Sequence, residues 1–315
     1  MPTQLRHPDL SPTMDLIAKK IFHKQHLTAD FIRSVLNIPV VSVEILDGTQ
    51  IQLAEYDHPN FYTAVDVCAK LEDGTQVIIE VQVTKQRSFF NRMLAYLANQ
   101  ITDNLKRLKT DQNKTHTLYS RMDPVYCIAI LENEHFDDDR AFHTLSLYDE
   151  ETLTPVYSDF HGSSQRPPMK FAFLELNKYN KDRITEYHLQ KWFEFFSNKP
   201  FDIEIDPVIK EAEGLLDQTQ WTKEEKRMFD QERRNRDLYE GAIAQATYDG
   251  QQLGIKKGVK QGIQQGIQQG IEQGIEKGIQ KSKTEMAKAM LKDKLDISFI
   301  AKYTGLTTDE VLALQ

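Results

Sequence analysis

Two runs of alternating apolar and polar residues flank the loop Glu72-Asp73-Gly74, between positions 65 and 83. An acidic residue and Asp-Gly between two such runs are a strong β-hairpin signal. With a three-residue loop and Gly74 in the left-handed conformation, Leu71 pairs with Thr75 and the apolar side chains of both strands share one face. A two-residue loop would oppose apolar and polar positions, so the pattern predicts the three-residue loop.

In that register Asp66 lies directly opposite Glu80 on the polar face of the hairpin. Directly opposed side chains have Cβ atoms roughly 5 Å apart, and two carboxylates at that distance repel each other. A divalent cation between them would relieve the repulsion, because Mg²⁺ takes hard oxygen ligands from one or two carboxylates. The alternative is a solvated polar face, on which two exposed carboxylates cost little. The residues alone leave both interpretations open.

The hydrophobic periodicity predicts the other elements of the chain. We expect a helix capped by Thr13 that runs to Asn37, then a strand over residues 41–45, a turn at Asp47-Gly48 and a return strand at Ile51 and Leu53. An amphipathic helix is predicted over residues 87–109 and a strand buried on both faces over 125–131. Two further strands and three helices are predicted over residues 143–149, 170–176, 181–197, 204–217 and 221–248.

A strict four-residue repeat runs from Gly254 to Gly278: glycine, then Ile or Val, then two polar residues. On a helix the branched residues form one stripe that drifts by about 40° per repeat, and a period above 3.6 favours right-handed winding. Each glycine costs a helix roughly 1 kcal/mol relative to alanine. The helix therefore needs a partner, and we expect a self-association stalk. A flexible low-complexity linker is the alternative.

The residues after the repeat predict a small helix–turn–helix. Ile300, Gly305 and Leu306 mark the first helix and the turn, and Thr308 is expected to cap the second helix. Such a pair either enters a DNA groove or serves as a small dimerising or packing element.

Composition places the chain among globular proteins. It has 315 residues with 40% hydrophobic content, enough for one core and an appendage. Cys68 and Cys127 lie in apolar, strand-like runs and fit neither a disulfide framework nor a zinc site, which favours a reducing compartment. The longest apolar run, over residues 125–131, is too short to span a bilayer, and the N-terminus lacks the apolar core of a signal peptide. We therefore expect a soluble, cytoplasmic protein with no membrane partner.

The net charge of −8 argues mildly against bulk binding to a polyanion. Locally, residues 85–121 hold eight Lys and Arg residues against two acids. Within this segment Arg92, Tyr96 and Gln100 are spaced four residues apart and therefore share one helix face. The segment is either a nucleic-acid contact or an ordinary solvated helix face. No zinc spacing, phosphate-binding glycine loop or nucleophile–base pair is evident, so the carboxylate hairpin is the leading candidate for chemistry.

The hairpin residues from Asp66 to Gln82, in this order of elements, resemble the PD-(D/E)XK nuclease superfamily, and more closely the Rpn family of recombination-promoting nucleases, also described as PD-(D/E)XK transposases. Residues 14–22 are similar to that family's opening motif, with Ala18 in place of the usual aromatic residue. Residues 126–131 and 171–179 resemble its later strands, and a glycine-repeat tail is usual there. The resemblance covers nearly the whole chain.

The resemblance implies an α/β fold with a restriction-endonuclease-like core, a mixed sheet flanked by helices, and a helical C-terminal extension. It implies four regions: a nuclease-like domain over residues 1–200, a helical connector over 201–250, the glycine-isoleucine stalk over 251–281 and the small helical tail over 282–315. The implied partner is DNA. The repeat itself predicts further copies of the chain as partners, joined through the stalk and tail.

The implied activity is that of a magnesium-dependent DNA endonuclease, linked to recombination or transposable elements, with Mn²⁺ as a substitute metal. Asp66 and Glu80 would hold the metal and Asp15 would be an accessory ligand. Gln82 stands where many members of the superfamily have lysine; it can orient a water but cannot neutralise developing charge, so that role passes to the metal or to Lys85.

Lys85 would also contact DNA phosphate. Arg92, Tyr96 and Gln100 would contact phosphate or position water. The alternatives are a non-catalytic DNA-binding or oligomerising module with a degenerate nuclease fold, and a nuclease that its own tail regulates.

Overall fold

The computed structural model describes residues 5–46, 50–52, 62–64, 67–82, 88–110, 119–160 and 164–315. The predicted turn at Asp47-Gly48 and the predicted strand residue Leu53 lie outside these ranges. The chain divides into two compact units, Met1–Arg234 and Asn235–Gln315.

The first unit alternates helices and strands. It contains α1 (Asp15–Phe22), α2 (Gln25–Leu36), β1 (Val43–Ile45), β2 (Gln50–Gln52), β3 (Tyr62–Ala64), β4 (Val67–Leu71), β5 (Gln76–Gln82), α3 (Phe89–Thr110), β6 (Val125–Leu131), β7 (Phe142–Ser146), β8 (Ser158–Phe160), β9 (Ser164–Arg166), β10 (Met169–Glu175), α4 (Tyr187–Phe196) and α5 (Pro207–Gly214). The helix α6 (Lys223–Lys292) begins in this unit.

Six of these strands form one mixed sheet in the order β1-β4-β5-β6-β10-β7. The three central strands β5, β6 and β10 are parallel, whereas β4, β1 and β7 join them in antiparallel pairs. Two short antiparallel pairs, β2-β3 and β8-β9, stand apart from this sheet. This is the expected mixed sheet of an α/β fold. The β8-β9 pair was not predicted from the sequence.

The hairpin β4-β5 has the register that its alternating pattern predicts. Val67 pairs with Ile79 and Lys70 with Gln76, and the Leu71 N–H donates to the Thr75 carbonyl at 2.8 Å. Gly74 has φ +90°, a conformation that a glycine adopts without a Cβ penalty. The three-residue loop is therefore confirmed.

The sheet buries a different helix layer on each face. Val77 and Ile79 of β5 pack in one apolar cluster with α1, α2 and α4, where the largest side chain is the fully buried Trp192. Ile78, between them in sequence, packs in a second cluster with Cys68, Cys127 and the face of α3 that begins at Phe89. The period of two along the strand thus assigns even-numbered residues of β5 to the α3 side.

The first predicted helix is two helices, so the prediction of one helix to Asn37 was wrong. The helix is interrupted at residues 23–24, between α1 and α2. The N-cap position of α1 is Met14 rather than Thr13. The Thr13 side chain is buried and its hydroxyl donates to the Glu132 carboxylate at the end of β6, so it is not available to cap the helix.

The second unit contains the rest of α6 followed by α7 (Ile297–Thr304) and α8 (Thr308–Leu312). The glycine repeat is helical throughout. Ala287 at the end of α6 packs with Ile300 and Val311 of the two short helices. Thr307, not Thr308, caps α8, in a reciprocal capping box with Glu310. No helix among the described residues combines the length and apolar character needed to cross a bilayer.

Candidate active site at the end of the hairpin

The carboxyl end of β5 presents Glu80 and Gln82 to the helix α3. Both residues have even numbers and therefore lie on the α3 side of the sheet. Glu80 is only 6% exposed and pairs in register with Ala129 of β6, the small neighbour that leaves room for its carboxylate. An acidic side chain is almost never buried to this degree without compensation.

The compensation comes from Arg92 on the first turn of α3. Its Nη2 lies 3.1 Å from Glu80 Oε1 and also donates to Gln82 Oε1. The guanidinium lies over the rings of Phe89 and Tyr96, at 5.1 and 5.9 Å from their centroids. The Arg92 side chain is 24% exposed and that of Glu80 is 8% exposed, so the cation reaches from the buried carboxylate toward solvent. One arginine therefore connects the two predicted site residues of β5.

Two of the predicted site residues, Asp66 and Lys85, lie outside the described residues. The described part of the hairpin register ends at the pair Val67 and Ile79. The opposition of Asp66 and Glu80 therefore stays a prediction from the sequence.

Asp15, the predicted accessory ligand, lies in the first turn of α1 and its side chain is about half exposed. Its carboxylate is 2.8 Å from Lys19 Nζ on the next turn of the same helix, and its backbone N–H donates to Glu232 of α6. The contacts that the structure gives for Asp15 are with α1 and α6, and its role as an accessory ligand stays a prediction.

Tyr96 and Gln100 are buried, at 2% and 3% exposure. Gln100 donates to Gln76 Oε1 at the other end of β5, and Gln76 Nε2 donates to Asn104 Oδ1 at 2.5 Å. This row of amides joins α3 to β5 in the interior, so in this arrangement neither Tyr96 nor Gln100 offers a surface to a phosphate.

Gln76 and Asn104 were missed by the sequence reasoning. Their signal is present in the chain, because Gln76 continues the polar face of β5 and Asn104 follows Gln100 by one helical turn.

A second acidic residue lies beside the end of the hairpin. Glu132 directly follows β6, and its backbone N–H donates to the Gln82 carbonyl at 3.1 Å. Its carboxylate accepts from the Thr13 hydroxyl. Ligands of open α/β sheets bind outside the carboxyl ends of parallel strands, and Glu80 and Glu132 lie near the carboxyl ends of two adjacent parallel strands. The alternation along β6 places Glu132 on the side of Ile128 and Ile130, which is the face of the sheet opposite to Glu80. A glutamate immediately after a buried strand was the signal that could have identified Glu132.

The two cysteines of this region do not provide a thiolate ligand. Cys68 and Cys127 flank Ile78 in register, one on each neighbouring strand, and both are free and buried. Burial raises the pKa of the Cys127 thiol well above its ordinary value, and electrostatic interaction with the neighbouring Cys68 and Glu80 raises it further. The donors at this end of β5 are therefore oxygens, the type that hard cations such as Mg²⁺ prefer. Within the described ranges, no three His, Cys, Asp or Glu side chains come together as a metal site.

Comparison with known proteins gives one match. A family model described as a PD-(D/E)XK nuclease family transposase matches residues 12–246, a span that includes α1, the hairpin, α3 and the whole sheet and that ends before the glycine repeat. No curated protein and no solved structure matches the chain. The matched span is well over half of the 315 residues. The chain therefore belongs to the PD-(D/E)XK nuclease family transposases.

Proposed function

We propose that this protein is a metal-dependent DNA endonuclease that hydrolyses phosphodiester bonds. Membership of the family supports a nuclease function on DNA, and nucleases of this family typically use divalent metal ions. The observation that carries the proposal is the buried carboxylate of Glu80, which Arg92 holds together with Gln82 at the carboxyl end of β5.

Glu80 and Asp66 are the proposed metal ligands. The register of the hairpin, continued by one residue beyond Val67 and Ile79, opposes these two carboxylates. Two carboxylates completed by waters and phosphate oxygens suit Mg²⁺, and Mn²⁺ accepts the same donors. Asp15 would join the set only after leaving Lys19, because its carboxylate is engaged within α1. Bound at this place, the metal would lower the pKa of a water and stabilise charge on the phosphate.

Arg92 supplies the positive charge that Gln82 cannot supply. In this structure its guanidinium neutralises Glu80, the role that a divalent cation would take over when it binds. Since the Arg92 side chain is partly exposed and carries five donors, it can then turn to a phosphate oxygen of the substrate. Gln82 would orient the attacking water through its amide oxygen. Lys85, which lies outside the described residues, remains a second proposed source of charge.

The proposed DNA contact lies on the nuclease unit rather than on the tail. Residues 282–315 carry five lysines and five acidic residues, so this segment has no excess of positive charge with which to bind double-stranded DNA. A role in recombination or transposition follows only from the family and is part of the proposal. The competing proposal is a non-catalytic module, favoured by the absence of lysine at position 82 and by the engagement of Glu80 with Arg92.

Nicking of supercoiled plasmid in Mg²⁺, Mn²⁺ or EDTA tests the proposal. Wild type is expected to nick with either metal and not in EDTA, and both Glu80→Gln and Asp66→Asn are expected to be inactive. Asp139→Asn is a matched control, because its carboxylate is 90% exposed and distant in sequence from the motif. Equal nicking by wild type and Glu80→Gln would refute the assignment.

A full chain that nicks in no metal would leave two explanations. A chain that ends at Tyr248 then separates them: nicking by the shortened chain shows a tail-inhibited nuclease, and its absence supports the non-catalytic module.

A further inference from the structure

The repeat on α6 leaves an apolar stripe uncovered. Its seven Ile and Val residues, every fourth position from Ile255 to Ile279, are each between 51% and 61% exposed. Among the described residues nothing gives a steric reason for the glycines beside them, since a Cβ added to any of the seven glycines from Gly254 to Gly278 would meet no described atom within 4 Å. Glycine weakens a helix relative to alanine. An exposed stripe and seven unexplained glycines together indicate a surface that another backbone covers closely.

The shape of this surface fits a second copy of itself. The branched residues form a ridge along the i, i+4 direction, and the glycines form a parallel groove next to it. Ridges of this class pack into grooves of the same class on another helix, and glycines permit close approach of the two backbones. A strict repeat of ridge and groove is therefore complementary to an identical repeat.

A row of charges beside the stripe indicates the direction of the pair. The residue after each branched position lies about 100° around the helix from the stripe and forms its flank. From the N-terminal end this flank reads Lys256, Lys260, Gln264, Gln268, Glu272, Glu276. Gln268 donates to Glu272 Oε1 at 3.3 Å, along the flank. When this row is placed against a copy of itself that runs in the opposite direction, each lysine lies opposite a glutamate and each glutamine lies opposite a glutamine.

The two possible directions of pairing use this flank differently. In an antiparallel pair each flank faces the same flank of the partner, whereas in a parallel pair it faces the opposite flank, which here carries the glycines. We propose that two copies of the chain associate through an antiparallel pairing of this repeat, with Gly266 on the two-fold axis. Lys256 then lies opposite the partner's Glu276 and Lys260 opposite the partner's Glu272. In the same alignment each branched residue lies level with the gap between two branched residues of the partner, and the glycine rows of the two copies run beside each other, with Gly266 level with Gly266 of the partner.

Charge reversal on the flank tests this register. Sedimentation equilibrium of the full-length protein measures the mass of the complex and its dissociation constant. Wild type is expected to be a dimer. Lys256→Glu with Lys260→Glu places like charges at four contacts and is expected to raise the dissociation constant by about tenfold or more. Adding Glu272→Lys and Glu276→Lys to that variant restores the wild-type net charge and complementarity, and is expected to restore the dimer.

A matched control carries the same change of charge away from the flank. Lys257 and Lys277 lie about 200° from the stripe, on the side that the proposed partner does not cover. Changing both to glutamate is expected to leave the dissociation constant unchanged. A monomeric wild type, or equal weakening by this control, would overturn the proposal. So would failure of the four-fold charge exchange to restore the dimer, provided that its circular dichroism shows a helix content equal to that of wild type.

Thiol cross-linking tests the direction independently of charge. Gln252 and Gln280 both continue the flank and are symmetric about Gly266. A chain with Gln252→Cys is expected to cross-link to a chain with Gln280→Cys through a short bismaleimide, and neither is expected to cross-link to itself. The native Cys68 and Cys127 are buried and do not interfere. Self-cross-linking of each variant alone would show a parallel pair and refute the proposal. Because these measurements use mass and cross-linking, their outcome is independent of nuclease activity.

Discussion

Replacement of Arg92 by methionine removes the cation that lies 3.1 Å from Glu80 Oε1. Removing one partner of a buried ion pair costs about 3–5 kcal/mol, because the remaining charge stays in a medium of low dielectric constant. Water screens part of this interaction, since a quarter of the Arg92 side chain is exposed. We therefore expect a loss of about 2–3 kcal/mol in the free energy of unfolding, or a melting temperature lower by roughly 5–10 °C for a unit of this size.

Urea unfolding of the full chain measures this loss. Arg183→Met is the matched control, because its pair with Asp139 has a 4.0 Å separation and a 59% exposed arginine, and such pairs contribute about 0–1 kcal/mol. The double variant with Glu80→Gln should recover part of the loss, because the remaining group is then neutral. A loss in Arg92→Met no larger than that in Arg183→Met would refute the reasoning.

The same variant links stability to metal binding. If a divalent cation replaces Arg92 as the partner of Glu80, Mn²⁺ should raise the free energy of unfolding of Arg92→Met by more than that of wild type. In wild type the metal has to displace Arg92 from the carboxylate before it binds, whereas in the variant it does not. Equal stabilisation of the two proteins would show that the metal and Arg92 do not share this carboxylate.

Two further substitutions test the scaffold of the first unit. Gly74→Ala is expected to destabilise the protein by about 1–3 kcal/mol in urea unfolding, because φ is +90° at this position and the new Cβ would collide with the Asp123 carboxylate. Lys191→Met is expected to cost about 3 kcal/mol, since the buried ammonium lies 2.7 Å from both Asp30 and Asp206 and its loss leaves two carboxylates together.

Each of these variants has an internal check. Gly214→Ala, in a helix with open space around the Cβ, should be neutral or stabilising, and a loss equal to that of Gly74→Ala would contradict the argument from φ. Burial raises the pKa of Asp206, but the hydrogen bonds from Lys191 and Ile209 outweigh it and lower the pKa overall. The wild type therefore loses this contribution as the pH falls through the folded-state pKa, and Lys191→Met should show less of this acid dependence.

The hairpin could be predicted from the sequence because its determinants are local. The alternation along β4 and β5 and the single residue that tolerates φ +90°, Gly74, together allow one register. The strand β6 was equally evident, since a continuous apolar run is typical of a strand buried on both faces. The break between α1 and α2 was not, because the apolar spacing continues across it and only tertiary packing decides where the first helix ends.

The environment of the site depends on how α3 lies over the sheet, which no local pattern fixes. The four-residue spacing of Arg92, Tyr96 and Gln100 shows that they share one helix face, but the same spacing is found whether that face contacts a phosphate or the interior. In the structure Arg92 pairs with Glu80, and Gln100 donates a hydrogen bond to Gln76. The pairing of Arg92 with a carboxylate 12 positions earlier in the chain is therefore a finding of the structure alone.

Calorimetric titration with Mn²⁺ tests the central claim most directly, because it measures the metal on the hairpin without requiring a substrate. Wild type and Asp139→Asn are predicted to bind Mn²⁺ with the same affinity. Asp66→Asn and Glu80→Gln are each predicted to bind at least about tenfold more weakly, since each loses one of two carboxylate ligands. Undetectable binding by wild type, or an affinity unchanged in Asp66→Asn, would contradict the account.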